Sequence, residues 1–342
     1  MTNELEKLIE VSARIGHNLD LVQAGGGNTS IKDGETLWVK ASGKWLIHAA
    51  EEDMFLPVPM ADIARQLAAE DEKFPEYRTP AGVALRPSVE TAVHAVMPQR
   101  VVIHVHSVRT IAFAAREKGQ AAIDPALKAL NWSWIPYTHP GIPLAIRIRQ
   151  EREKCPDVLI LENHGLVVAG ENCATAEELL HTVERRLDSS TRQTPPPSLP
   201  QLRQLTLGGE WEVAEDSETH ALAMVAKSYE IAAGGTLFPD QCVYLGPGAT
   251  VVHTGESLDA AAQRYRETYA FDPVFLIVPS AGVVTKRNMQ RAARELLLCV
   301  KRVVERIPEE AQAKYLPTSQ VARLMNWDAE KYRIALARQT NS

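Results

Sequence analysis

Apolar and polar positions along this chain repeat with two different periods, and together they predict helices and strands. Apolar residues recur every three to four positions over residues 5–18, which predicts an amphipathic helix. The same spacing predicts further helices over residues 60–69, 88–96, 108–118, 175–187, 219–233 and 288–307. Short β-branched runs predict strands at residues 36–39, 101–106, 243–245 and 274–278, and from residue 158. The mixture predicts an α/β fold built in layers.

A proline-rich connection at residues 194–200 divides this pattern, because proline continues neither a helix nor a central strand. We therefore predict one part over residues 1–205 and a smaller α/β part over residues 206–342. Residues 274–284 resemble residues 158–168, with Ala281 in the place of His164. The second part is therefore either a degenerate repeat of the first or a chance similarity of two apolar strands.

Two histidines, His104 and His106, lie two residues apart at the end of a predicted buried strand. Side chains at that spacing point to the same face of a strand. Buried imidazoles need polar partners, and either a shared metal ion or backbone groups can provide them.

A polar triplet at residues 163–165 interrupts the next apolar run, which makes His164 a third candidate ligand. Glu90 follows a helix-start signature with Ser88 as candidate N-cap, so its carboxylate either favours the helix dipole or joins the metal. His94 lies four residues further on the same predicted helical face and is a rival ligand that ranks below His164. One carboxylate and three imidazoles predict Zn²⁺ or another divalent metal.

Three consecutive glycines at residues 25–27 precede Asn28 and Thr29. Glycine permits positive φ and close backbone approach, so this loop is either an ordinary turn or a cradle of N–H groups for an anion. The spacing matches neither the dinucleotide-binding nor the P-loop pattern, so neither NAD nor ATP is implied.

The 342-residue composition favours a soluble enzyme with a small-molecule substrate. Lys and Arg number 37 against 43 Asp and Glu, a net charge of −6, which argues against nucleic acid or a membrane surface as partner. The four cysteines form no CxxC pattern, which indicates reduced thiols. The chain start lacks signal-peptide character and no apolar run reaches membrane-spanning length, so we expect a cytoplasmic protein.

Five motifs occur in the order and spacing of the class II aldolase/adducin family, which the chain resembles over roughly residues 5–190. They are Gly25-Gly26-Gly27-Asn28-Thr29-Ser30, Ala41-Ser42-Gly43-Lys44, Ser88-Val89-Glu90, His104-Val105-His106 and Asn163-His164-Gly165-Leu166. Fuculose-phosphate aldolase is a member of that family. Residues 237–241, 315–317 and 326–328 resemble the aldolase portion of fusions to a short-chain dehydrogenase.

The resemblance implies a three-layer α/β/α domain and a zinc-dependent aldehyde-lyase that cleaves a sugar phosphate or sugar acid by retro-aldol chemistry through an enediolate. It also implies that His104, His106 and His164 bind zinc, and that Glu90 is both a ligand and the proton-transferring base. Epimerase, decarboxylase or dehydratase chemistry, or a non-catalytic adducin-like scaffold, are the alternatives. Family members assemble as homo-oligomers, so we expect a tetramer or dimer.

The resemblance further implies phosphate contacts from Gly27, Asn28, Thr29, Ser42, Gly43 and Ser88. Val89 stands where the family often has a second hydroxyl, which leaves a carboxylate or an unphosphorylated sugar acid as an alternative ligand. Lys44 is a possible anion contact. Tyr137, with His139 behind it, is either the second catalytic acid, at the oxygen of the departing aldehyde, or a core aromatic.

Overall fold

The computed structural model describes residues 3–73, 77–78 and 84–340. Its main feature is a seven-stranded sheet in the order β3-β2-β1-β4-β7-β6-β5, antiparallel except for the β5–β6 pair. These strands are β1 (Asn28–Asp33), β2 (Thr36–Lys40), β3 (Phe55–Pro59), β4 (Val101–Val105), β5 (Trp132–Ile135), β6 (Val158–Leu161) and β7 (Gly165–Gly170). A three-stranded sheet follows, formed by β8 (Trp211–Val213), β9 (Phe275–Val278) and β10 (Gly282–Lys286).

Helices connect the strands and follow them. They are α1 (Asn3–Gly16), α2 (Met60–Ala69), α3 (Thr91–Val96), α4 (Val108–Ala114), α5 (Gly119–Leu127), α6 (Ile142–Arg149), α7 (Cys173–Arg186), α8 (Leu199–Leu205), α9 (Ala221–Met224), α10 (Ala226–Gly234), α11 (Pro239–Leu245), α12 (Leu258–Tyr269), α13 (Arg291–Val304), α14 (Thr318–Asn326) and α15 (Asp328–Thr340). Short 3₁₀ turns cover Leu46–His48, Arg152–Lys154 and Ser217–His220. Of the helices in the described ranges, none combines the length and apolar character needed to cross a membrane.

The large sheet carries helices on both faces, which confirms the predicted three-layer α/β/α arrangement. Side chains of one face, such as Val101 and Ile103, pack with α1, α5 and α7. Side chains of the other face, such as Val102, pack with α2, α3 and α6. This alternation along β4 follows from the two-residue repeat of a strand, and it puts His104 on the same face as Val102.

Two sequence predictions in the C-terminal part are wrong. Residues 243–245, predicted as a strand, lie in α11, which begins at Pro239 and ends before Gly246 at φ +95°. Every residue of α11 is buried, so the apolar run lacks the polar face that identifies a helix from sequence. The single helix predicted over residues 219–233 is divided by Val225, whose extended backbone separates α9 from α10.

The C-terminal sheet has the same local topology as β4 to β7. β10 lies between β8 and β9, as β7 lies between β4 and β6, and Val251 forms a parallel bridge to β9 where β5 pairs with β6. Both hairpins turn through a residue with positive φ, Asn163 at +51° and Ser280 at +59°. In the second hairpin, Ala281 lies at the position that His164 occupies in the first. The degenerate repeat stays a prediction, and this geometry supports it.

The two parts share a hydrophobic core. One buried cluster joins residues of α4, including Val108 and Ile111, to α11, α13 and α14. Leu296 of α13 lies fully buried within it. The division at residue 205 stays a prediction, and burial of this cluster stabilises both parts together.

We predict that Leu296→Ala lowers the free energy of unfolding by about 2–5 kcal/mol, because it removes buried methyl groups and leaves a cavity. Leu207→Ala is the control, since that side chain is 80% exposed, and it should change the free energy by less than about 0.5 kcal/mol. Urea unfolding followed by circular dichroism measures both, and equal midpoints for the two variants would contradict the shared core.

Candidate metal and substrate site

Three buried imidazoles meet at one end of β4. His104 lies in β4, His106 follows its last residue, and His164 lies in the turn between β6 and β7. One nitrogen of each ring lies within 4.8 Å of the corresponding nitrogens of the other two. The arrangement could hold a metal ion.

Glu90 faces two of these rings from the residue just before α3. Its Oε2 atom lies 3.3 Å from His104 Nε2, and its Oε1 atom lies 3.5 Å from His164 Nε2. Within the described part of the chain, His104 Nε2 and Glu90 Oε1 are buried without a hydrogen-bond partner. A cation between them would satisfy both atoms, so the four side chains fit a divalent metal.

The electrostatics of the cluster favour its metal-binding protonation state. Burial lowers the pKa of His164 to about 3 and also lowers the pKa of His104, so both rings are neutral near pH 7. Burial acts to raise the pKa of Glu90, but the neighbouring imidazoles and the Asn28 amide lower it to about 2. Neutral imidazole and ionised carboxylate are the forms that bind a metal.

His94, the rival ligand, is occupied elsewhere. Its Nδ1 atom pairs with Ser30 Oγ at 2.7 Å, and its Nε2 atom contacts Asn28 Oδ1. Asn28 also donates from Nδ2 to Glu90 Oε2 at 2.9 Å. His94 therefore orients Asn28, which in turn orients Glu90.

A small cavity adjoins the imidazoles and contains most of the predicted anion contacts. Its lining includes Gly27, Asn28, Ser42, Gly43 and Ser88 together with Glu90, His106 and His164. Ser42 Oγ is buried and unpaired among the residues that the structure describes, whereas Ser88 Oγ accepts a hydrogen bond from the Glu90 N–H at 3.2 Å. The predicted cradle and the predicted metal site are therefore neighbours.

Two of the predicted anion contacts, Thr29 and Lys44, and the predicted acid Tyr137 lie outside the described lining of this cavity. Thr29 Oγ1 pairs with Ser12 Oγ of α1 at 2.7 Å, and Lys44 Nζ donates to Glu52 at 2.6 Å. Tyr137 packs against the core shared by the two parts, and burial raises its hydroxyl pKa. Its neighbour His139 contacts the Trp327 ring, with 4.7 Å between ring centroids. The acid role of Tyr137 stays a prediction.

The C-terminal part contributes residues to the cavity that the sequence did not assign to a site, although Asp240 lies in the segment 237–241 that resembles the dehydrogenase fusions. Asp240, Glu330 and Arg333 line it, and all three are buried. Burial acts to raise the pKa of Asp240, but the Arg333 guanidinium and His106 hold that pKa well below its usual range. The cavity has a volume of about 30 Å³, which leaves room for water beside these side chains.

Comparison with known proteins identifies relatives of the first part. The family profile described as "Class II Aldolase and Adducin N-terminal domain" matches residues 6–191. "Uncharacterized oxidoreductase YuxG" of Bacillus subtilis is 29% identical over 188 residues, which cover 50% of this chain and only 27% of that protein. "L-fuculose phosphate aldolase" of Methanococcus maripaludis is 23% identical over 181 residues, which cover 51% of this chain and 88% of that protein.

Among solved structures, the N-terminal class II aldolase domain of a conserved protein from Thermoplasma acidophilum is 27% identical, with a TM-score of 0.48. The match covers 55% of this chain and 93% of that domain.

Lys40 lies beneath the cradle as a buried amine. Its Nζ atom donates to the carbonyl oxygens of Gly25 at 3.0 Å and Lys44 at 2.6 Å, which joins the two loops. Burial lowers the pKa of Lys40 from 10.5 to about 7. Between these pH values, Lys40 is protonated in the unfolded chain but not in the folded protein. The contribution of Lys40 to the free energy of unfolding therefore becomes less unfavourable as the pH rises.

We predict that Lys40→Met removes this pH dependence. Between pH 7.5 and 9.5, the native protein should gain up to about 1.4 kcal/mol per pH unit in unfolding free energy relative to the variant. Urea unfolding across this range measures the difference, with Lys128→Met at an exposed position as the control for loss of one lysine. Parallel pH profiles for native protein and Lys40→Met would contradict the prediction.

Proposed function

Because the chain belongs to the class II aldolase and adducin family, we propose that it is a metal-dependent aldehyde-lyase acting on a sugar phosphate or sugar acid. The observation that supports this most is the position of the Glu90 carboxylate, within 3.5 Å of His104 and His164, in a cluster that also contains His106. Zn²⁺ is the metal that such a set of ligands suits best. A non-catalytic scaffold has no use for buried polar groups of this kind, which are unfavourable without a cation.

His104, His106 and His164 would hold the metal, with Glu90 as the fourth ligand. When bound, a divalent metal supplies a Lewis acid that stabilises negative charge on substrate oxygens. The fixed positions of the rings on a strand and a tight hairpin keep the site preorganised for that task.

Glu90 is the group proposed to transfer the proton at the reacting carbon of the substrate. In retro-aldol cleavage, the hydroxyl on the aldehyde-forming carbon loses its proton to solvent, the carbon–carbon bond breaks, and the electron pair of that bond stays on the other fragment. The Glu90 carboxylate would take a proton from solvent and give it to the carbon that carries this electron pair. In synthesis it would remove the same proton. Asn28 holds its Oε2 atom, which fixes the orientation of the carboxyl group.

The cradle is the proposed site for the anionic end of the substrate. Backbone groups of residues 25–27 and the unpaired Ser42 hydroxyl line the same cavity as Glu90. Val89 also lines it and supplies no hydroxyl, so a carboxylate is the alternative to a phosphate. The fuculose-phosphate activity named for the Methanococcus relative makes ketose phosphates the first compounds to test.

The decisive experiment is a screen of ketose phosphates, free ketoses and sugar acids for aldehyde release, with and without a chelator. Parallel detection of epimers and of carbon dioxide separates aldolase from epimerase and decarboxylase chemistry. Chelator-resistant turnover would refute the metal-dependent mechanism.

We predict that His104→Ala reduces Zn²⁺ affinity at least 100-fold and abolishes turnover, because it removes a ligand from a set of four. The matched control is His220→Ala, since His220 is buried and accepts a hydrogen bond from the Val283 N–H at 3.0 Å, outside the cluster. Elemental analysis after dialysis measures bound metal. Full zinc occupancy in His104→Ala would refute the assignment.

We predict that Glu90→Gln retains metal but slows proton exchange at the substrate carbon by about 10²–10⁴-fold, because the amide cannot transfer a proton as a carboxylate does. Deuterium incorporation from heavy water, followed by NMR, measures the exchange. The His220→Ala control should exchange at the native rate. Native exchange in Glu90→Gln would exclude the base role.

A further inference from the structure

One segment of the C-terminal part, residues 237–240, contacts both loops that present metal-binding histidines. Asn163 precedes His164 and has a left-handed backbone at φ +51°. Its side-chain amide donates to the carbonyl oxygens of Leu237 and Lys314, both at 2.8 Å. The C-terminal part therefore holds the hairpin turn that positions His164.

The second contact of this segment is with His106. Asp240 Oδ2 lies 3.0 Å from His106 Nδ1, and both side chains are buried. The distance is that of a hydrogen bond, although the ring N–H does not point straight at the oxygen. A carboxylate facing one nitrogen of a metal-binding histidine fixes the tautomer and leaves the other nitrogen for the metal.

The position of Asp240 is itself fixed on two sides. Arg333 of α15 contacts both carboxylate oxygens, from Nη1 at 3.2 Å and from Nη2 at 3.3 Å. On the other side lies Gly26, where an added Cβ would be 2.8 Å from Asp240 Oδ2 and 2.8 Å from His106 Nδ1. Glycine at residue 26 therefore leaves room for the carboxylate to reach the ring.

We propose that Asp240 is a positioning residue of the metal site. It holds the Nδ1–H tautomer of His106 and directs the Nε2 atom to the metal, while Arg333 holds the Asp240 carboxylate. The residues 206–342 are then a required part of the metal centre. This inference rests on the proposed metal site, and it adds a residue to that site which lies outside the family match at residues 6–191.

The test compares Zn²⁺ affinity in the full chain for native protein, Asp240→Asn and Asp62→Asn, by competition with a chromophoric chelator. Asp62 is a matched control, because it too is a buried aspartate held by an arginine, Arg78, at 2.8 and 2.7 Å. Asp240→Asn should bind Zn²⁺ about 10–100-fold more weakly than native protein, as is typical when the partner of a ligating histidine is removed. Asp62→Asn should keep native affinity.

Two further measurements separate a positioning role from other roles. Long-range ¹H–¹⁵N NMR should show Nδ1 of His106 protonated in the Zn²⁺-loaded native protein. The visible spectrum of the Co²⁺-loaded protein should indicate the same number of ligands in Asp240→Asn as in native protein. A reduced ligand number would make Asp240 a ligand and overturn the positioning role.

Gly26→Ala is the second variant, in case Asp240→Asn does not fold. Its methyl group should separate Asp240 from His106 and weaken Zn²⁺ binding in the same direction. Native affinity in a folded Asp240→Asn or Gly26→Ala protein would overturn the inference and leave the proposed function intact. Native protein that binds no Zn²⁺ would overturn the proposed function and this inference with it.

Discussion

The site depends on one constraint, which is that polar atoms removed from water need a partner. The side chains of Glu90, His104 and His164 are almost completely buried. The carboxylate oxygens of Glu90 lie 3.3 Å from His104 Nε2 and 3.5 Å from His164 Nε2. Such a group of unpaired atoms is costly in an apolar interior and becomes favourable when a cation joins them. The neighbouring residues reinforce this arrangement, since Asn28 orients the carboxylate and the Leu166 carbonyl lies 3.0 Å from His104 Nδ1.

The C-terminal part stabilises the same arrangement from outside the family match. Helix α13 packs against α4, and α4 begins two residues after His106. Lys314 pairs with Glu162 at 2.7 Å, so the turn that contains His164 is held through an ion pair as well as through Asn163. The shared apolar core and these polar contacts act on the same loops, and the position of the candidate metal ligands therefore depends on both parts of the chain.

Local patterns predicted the site only where local geometry determines it. The alternation along β4 places His104 and His106 together from sequence alone, and the polar interruption before Gly165 marks a turn that presents His164. Asp240 lies in the segment 237–241 that resembles the dehydrogenase fusions, but no local pattern linked it to His106, because the two side chains meet only through the tertiary packing of α11. The strand predicted at residues 243–245 failed for a related reason, since a helix buried on all sides has no polar face to reveal its period.

Helix α15 contributes side chains beside both the cradle and the candidate metal site. Its residues Glu330 and Arg333 line the cavity and form an ion pair at 2.9 Å. Arg333 also holds Asp240, so a helix that lines the cavity also fixes the carboxylate beside His106.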